Sequence, residues 1–147
     1  MIEIGNVGLF CGLQRRHLTV VRRLGSLLDL SRGSVICTRG HAAGQFTVVL
    51  AGEVYVRREH RTIVCGPGSH FGAVELLARR PADATVWTES AVQALVFEPR
   101  AFTGMLDEVP AIGRRLMAEL VKHVPDDTSL FCTGAEPADP KLAVLAG

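Results

Sequence analysis

The chain has 147 residues, of which 48% are hydrophobic and 21% are charged, and its formal net charge is +1. This composition is typical of one globular domain with a full core, and the nearly neutral charge argues against a strongly basic nucleic-acid-binding surface. No apolar run approaches the roughly 18 residues that span a bilayer, and the start does not read as a signal peptide, so we expect a cytoplasmic location without membrane association.

The first part of the chain predicts one helix and then a series of strands. Apolar residues recur at near-helical spacing from Gln14 to Leu24, and Gly25 ends the pattern. Short β-rich runs then alternate with glycine-containing turns, which is typical of a roll, sandwich or barrel. A short helix, Val74–Ala78, interrupts them. The predicted strands are Leu27–Leu30, Ser34–Thr38, Phe46–Leu50, Glu53–Arg57, Thr62–Cys65, Ala84–Thr88 and Val92–Phe97.

Two helices are predicted after the last strand. The first begins at Pro99, and the second, Ala111–Val124, lies between two prolines. We therefore predict a domain over residues 1–124 and a loosely ordered tail over residues 125–147. The second helix carries an apolar stripe, which either packs on its own domain or forms the interface of a homodimer. The stripe consists of Ile112, Leu116, Leu120 and Val124.

One segment carries the pattern of a ligand site. Residues 67–77 form a glycine-containing turn that leads into the short helix, and the chain returns through Pro81 to a strand. A helix start after glycine presents free backbone N–H groups, and Gly72 lets a ligand approach the backbone closely. This arrangement suits a small anion.

The segment and its surroundings resemble the cyclic-nucleotide-binding domain family, which includes bacterial catabolite-activator-type regulators and kinase regulatory subunits. The resemblance covers about residues 9–124 and implies a mainly β fold with flanking helices, a double-stranded β-helix (jelly roll). It also implies a non-enzymatic regulatory role. The matching positions are Gly33, Gly40, Phe46, Gly52-Glu53-Val54, Pro67-Gly68, Phe71-Gly72, Leu76-Leu77, Pro81, Ala84-Thr85-Val86, Leu95 and Phe102.

In the resembled family, a Glu of the phosphate-binding segment accepts a hydrogen bond from the ribose, and an Arg pairs with the cyclic phosphate. Here these two positions hold Ala73 and Ala82, and an anion, Asp83, follows. The resemblance therefore implies a scaffold for a ligand without its two polar side chains. We call residues 71–85 the cassette; its candidate ligand positions are Phe71, Gly72, Ala73, Val74, Glu75, Leu76, Arg79, Arg80, Ala82, Asp83, Ala84 and Thr85.

Two replacements for the missing side chains are open. Glu75 lies two residues beyond the expected Glu, but side chains two apart on a helix point in different directions, so it is not a simple substitute. Arg79 and Arg80 either fold back over a phosphate or are solvated in the loop.

The remaining polar groups have structural interpretations. Arg57, Arg58 and Arg61 are predicted to be solvated at a hairpin tip, and the five histidines are predicted to lie on the surface or in loops. The four cysteines are too far apart in sequence for a metal or redox motif, and no nucleophile motif is present, so we expect no enzyme, no metal and no cofactor other than a cyclic nucleotide.

Two functional hypotheses remain. The domain is either a sensor with weakened or altered nucleotide binding, or a degenerate domain that binds no nucleotide and serves as a protein-interaction or dimerisation scaffold. The expected partners are a cyclic nucleotide or another small anion, a second copy of the chain, and a protein partner. Direct DNA binding is not expected, because the residues beyond Pro125 are too few for a helix-turn-helix domain.

Overall fold

The computed structural model describes residues 4–122, with side chains through residue 119. Two 3₁₀ turns precede the first helix, and two helices follow the last strand. The turns are Ile4–Asn6 and Gly8–Phe10; the helices are α1 Arg15–Leu24, α2 Ala73–Ala78, α3 Pro99–Glu108 and α4 Pro110–Lys122. The strands are β1 Ser26–Leu30, β2 Val35–Cys37, β3 Phe46–Ala51, β4 Val54–Arg58, β5 Arg61–Cys65, β6 His70–Phe71, β7 Thr85–Thr88 and β8 Val92–Phe97.

The strands form two antiparallel sheets of four strands each. One has the order β1-β8-β3-β6 and the other β2-β7-β4-β5. The predicted mainly β fold with flanking helices is confirmed, as are the seven predicted strands and the short helix after Gly72, within one or two residues at their ends. Strand β6 was missed, because two residues are too short to show an alternating pattern.

Two hydrophobic cores lie on opposite faces of the first sheet. Phe46, Val48 and Leu50 of β3 point outward and pack with the helices in what we call the outer core. The intervening Val49 points inward to the second sheet, in the inner core. Because both faces of β3 are buried, its sequence is a continuous apolar run instead of an alternating one. The cassette crosses from one core to the other.

Helix α4 is fixed to the rest of the domain by its apolar stripe. Ile112 is fully buried and Leu116 is 2% exposed, and both belong to the outer core. These two residues therefore pack on their own domain, the first of the two alternatives. Arg115 also donates a hydrogen bond to the backbone oxygen of Leu9 at 2.8 Å. The side chain of Leu120, residue Val124 and the predicted tail lie outside the described residues.

Candidate functional site

The second residue of the cassette is a glycine whose conformation other residues rarely adopt. Gly72 has φ of 106°, in the left-handed region, and caps the start of α2. A Cβ atom there would lie 2.3 Å from the backbone oxygen of Gln45. The turn from β6 into α2 therefore requires glycine for both its dihedral angle and its packing. At the other end, Arg79 is also left-handed and ends the helix.

The return loop after α2 is held by backbone hydrogen bonds. Ala82 donates its N–H to the oxygen of His41 at 2.9 Å, and its oxygen accepts from Gly40 N–H at 2.8 Å. Pro81 forms an isolated antiparallel bridge with Ala42. The backbone at residue 82 is thus held by the loop between β2 and β3.

The two positions that differ most from the resembled pattern are both buried. Ala73 is 5% exposed and packs in the outer core, while Ala82 is 4% exposed. Neither methyl group offers a hydrogen bond. Of the other apolar cassette positions, Phe71 and Ala84 pack in the inner core and Leu76 against the outer core. Thr85 accepts the backbone N–H of Arg39 at 3.1 Å.

A set of charged side chains lies where the cassette meets strand β4. The Arg58 guanidinium lies 3.3 Å from the Asp83 carboxylate, and Glu75 interacts electrostatically with both. We call Arg58, Glu75 and Asp83 the inner polar cluster. The prediction that Arg58 is solvated at the hairpin tip was wrong, since its side chain is only 11% exposed. It lies on the same face of β4 as the buried Val54 and Val56.

Burial raises the pKa of one carboxyl in this cluster and of one thiol beside it. Burial raises the pKa of Glu75, and Asp83 raises it further, whereas a hydrogen bond from its own backbone N–H and the charges of Arg58 and Arg80 lower it. Burial also raises the pKa of the Cys37 thiol to about 12, with Glu75 adding to the effect. The region is therefore poorly solvated and already rich in negative charge.

Arg79 and Arg80 lie at the C-terminal end of α2, just before Pro81. Both are exposed, as the solvated-loop alternative expected, and they line a pocket of about 720 Å³ between α2, the β2–β3 loop and α3. Arg100 and Thr103 of α3 line the same pocket. Neither Arg79 nor Arg80 forms an ion pair within the described part of the chain.

A buried histidine connects the cassette to α4. His70 of β6 is 4% exposed, and its Nε2 lies 2.7 Å from a carboxylate oxygen of Glu119. The sequence-based prediction of a surface or loop histidine was therefore wrong here. The residue before Phe71 and Gly72 is thus hydrogen-bonded to the last helix that the structure describes.

The sequence model of the cyclic nucleotide-binding domain matches residues 27–109, more than half of the chain. The chain belongs to the cyclic-nucleotide-binding domain family. The curated protein sequences contain no match to it. The family accounts for the observed order of elements, with a glycine turn and a short helix inserted between the strands of a β-roll.

Solved structures of cyclic-nucleotide-binding domains show the same fold. The catabolite activator protein of Thermus thermophilus matches with a TM-score of 0.71 and 22% identity, over 78% of this chain and 56% of that one. The regulatory domain of Toxoplasma gondii PKA with cAMP matches with a TM-score of 0.70 and 15% identity, over 82% and 48%. A PKAR CBD2 bound to Sp-2Cl-cAMPS matches with a TM-score of 0.69 and 18% identity, over 80% of this chain and 82% of that one.

The chain spans about half the length of the Thermus and Toxoplasma proteins. At these identities the likeness shows the shared fold alone. No group of three metal-ligating side chains occurs among residues 4–122, and none of the helices there is long and apolar enough to cross a membrane.

Proposed function

We propose that this cyclic-nucleotide-binding domain is a regulatory, non-catalytic module that senses a cyclic nucleotide or a related small anion, with weakened or altered binding. The observation that carries the proposal is that the cassette keeps its backbone scaffold but lacks two polar side chains. The backbone scaffold around Gly72 and the return loop is complete, while Ala73 and Ala82 replace the two polar side chains that the family uses.

The expected loss of affinity follows from the chemistry of a cyclic phosphate. A phosphate that enters a partly buried pocket loses water and needs a cation or several N–H groups in return. Loss of one partner from a buried charge pair costs about 2–5 kcal/mol, or about 30-fold to several thousand-fold in affinity. Without an acceptor at residue 73, a ribose hydroxyl loses roughly 1 kcal/mol more. Asp83 adds repulsion beside Ala82.

Calorimetry with cAMP and cGMP tests this proposal on wild type and on the double variant Ala82→Arg, Asp83→Ser. The double variant should bind at least about 30-fold more tightly, because it supplies the cation and removes the competing anion. Ala73→Glu is left out, because a carboxylate at a 5% exposed position of the outer core would destabilise the fold. Ala82 is 4% exposed but belongs to neither core, and thermal melts confirm that the variant with arginine there is folded before its affinity is compared. Wild-type binding as tight as that of the double variant would contradict the proposal.

The alternative function is a degenerate domain that binds no nucleotide and serves as an interaction scaffold. The Arg58–Asp83 ion pair favours it, because the negative charge that a ligand would bring is already present as a side chain. This alternative predicts that no cyclic nucleotide stabilises either wild type or the double variant, measured as a shift in the melting temperature.

We further expect the domain to form a homodimer through the outward face of α4. Met117 is 62% exposed and Leu77 is 49% exposed, and both line an apolar groove of about 980 Å³ that includes Leu106 and Pro110. Met117→Arg should shift the mass measured by light scattering toward a monomer, whereas the matched surface change Thr19→Arg on α1 should not. A wild type that is monomeric at high concentration would contradict this expectation.

We also expect a cytoplasmic protein that acts through a protein partner and not by direct contact with DNA. The net charge of +1 supports this expectation. A gel mobility assay with duplex DNA at physiological salt should give no sequence-specific shift.

A further inference from the structure

Strand β4 directs an arginine into the β-roll. Its residues alternate, so that Val54 and Val56 are fully buried on the inner face while Arg57 is exposed. Arg58 continues the inner face, and its guanidinium reaches across to Asp83, with one nitrogen 3.3 and 3.4 Å from the two carboxylate oxygens. The return loop therefore has a cation beside it, although Ala82 provides none.

Glu75 places an acceptor beside the same cation. The residue is 7% exposed, and its Oε1 has no hydrogen-bond partner among the residues described. A buried carboxylate oxygen without a donor destabilises the folded state. The Glu75 carboxyl, on helix α2, interacts electrostatically with Arg58 and Asp83. A donor supplied by a ligand, such as a hydroxyl group, would satisfy it.

We propose that Arg58 and Glu75 are ligand-binding residues that take over, from different positions, the roles of the missing cassette Arg and Glu. Arg58 binds a singly charged anionic group, such as a cyclic phosphodiester, and Glu75 accepts a hydrogen bond from a hydroxyl of the same ligand. Asp83 is the resident anion that the ligand displaces. The inference rests on the proposed sensing function and names the residues that perform it.

The exposure of the Asp83 side chain and the single charge of the ligand support the displacement of Asp83 from Arg58. The Asp83 side chain is 51% exposed, so it can turn into solvent, whereas the 11% exposed Arg58 stays in place. A cyclic phosphodiester carries one negative charge, as the displaced carboxylate does, so the net charge around Arg58 stays the same when the ligand enters. The planar guanidinium also suits the two free oxygens of such a group.

The test uses cAMP as the probe and calorimetry on four variants of the whole chain. Asp83→Ser should bind about 2- to 5-fold more tightly than wild type, because the ligand no longer displaces a half-exposed ion pair. Adding Arg58→Gln to Asp83→Ser should weaken binding at least about 30-fold. Adding Glu75→Gln to Asp83→Ser should weaken cAMP binding about 5-fold. Adding Arg57→Gln, on the neighbouring exposed position, should leave the affinity unchanged.

Thermal melts monitored by circular dichroism confirm that each variant is folded, and Arg58→Lys, which keeps the charge without the planar fork, replaces Arg58→Gln if that variant unfolds. The inference is overturned if Asp83→Ser binds no more tightly than wild type, or if the change at Arg58 leaves the affinity intact. In either event, binding by the Ala82→Arg, Asp83→Ser variant would leave the sensing function standing. If that variant also binds no cyclic nucleotide, the proposed function fails as well.

Discussion

Replacing Glu75 by glutamine should stabilise the domain at neutral pH. Burial raises the pKa of this carboxyl above its ordinary value of 4.5, with Asp83 adding to the effect. Between the ordinary and the raised pKa, the folded chain keeps a proton that the unfolded chain releases, so the free energy of unfolding falls as the pH rises through this window. Glutamine removes the titration and the buried charge while keeping the shape of the side chain.

The size of the effect follows from the environment of the side chain. A buried polar atom without a partner costs about 1–3 kcal/mol and a charged one costs more, so glutamine removes only the extra cost of the charge. The nearby charges of Arg58 and Arg80 offset part of that extra cost. We therefore expect Glu75→Gln to raise the free energy of unfolding by about 1–2 kcal/mol at pH 7.5. For a domain of this size, that corresponds to about 3–8 °C in melting temperature.

Melting curves at pH 7.5 and pH 4 measure this effect. The gain should be larger at pH 7.5, because at pH 4 the wild-type carboxyl is mostly protonated in both the folded and the unfolded state. Glu53→Gln is the matched control, since Glu53 is exposed, and it should change the melting temperature little at either pH. A lower melting temperature for Glu75→Gln at pH 7.5, or an equal gain at both pH values, would refute the reasoning.

Three further predictions concern other parts of the domain. Gly72→Ala should destabilise the fold by at least about 2 kcal/mol, measured by chemical denaturation, because of the left-handed backbone and the close backbone oxygen; a near-neutral effect would contradict this. An alkylating reagent at pH 8 should modify the exposed Cys11 well before Cys37, whose pKa is raised to about 12, as followed by mass spectrometry; equal rates would argue against a buried thiol. Glu119→Ala should cost about 1 kcal/mol of unfolding free energy and Glu119→Gln less, because the amide oxygen can still accept from His70; equal losses would rule out this hydrogen bond as the cause.

The sequence was sufficient to predict the β-roll, because its signals are local. Glycine turns separate short runs such as Phe46–Leu50 and Val92–Phe97, and both runs are strands in the structure. The helix after Gly72 was predicted from the same kind of signal. Strand β6 was missed because its pairing partner, β3, is distant in sequence and its two residues carry no period. Whether such a short segment forms a strand is determined by its pairing across the sheet and not by its own residues.

The candidate site was predicted less completely than the fold. The sequence showed that Ala73 and Ala82 lack polar side chains, but it did not show which charged residue lies near them. Arg58 comes only three residues before Arg61 and was interpreted as part of an exposed turn. The alternation of Val54, Val56 and Arg58 along β4 indicates that Arg58 points inward. The prediction followed the general tendency of arginine to be exposed instead. For His70, the partner Glu119 is 49 residues away, so no local pattern predicts their contact.

The hydrogen bonds around residue 82 bear on how such a domain changes during evolution. Both backbone groups of Ala82 are bonded to residues of a separate loop, so the chain there is held by hydrogen bonds that any residue except proline can make. Substitutions at this position keep those hydrogen bonds, and their cost to the fold is set by how well the new side chain fits where Ala82 is only 4% exposed. Under the proposed sensing function, a lineage that accommodates a larger side chain at residue 82 changes its ligand preference without rebuilding the backbone of the site.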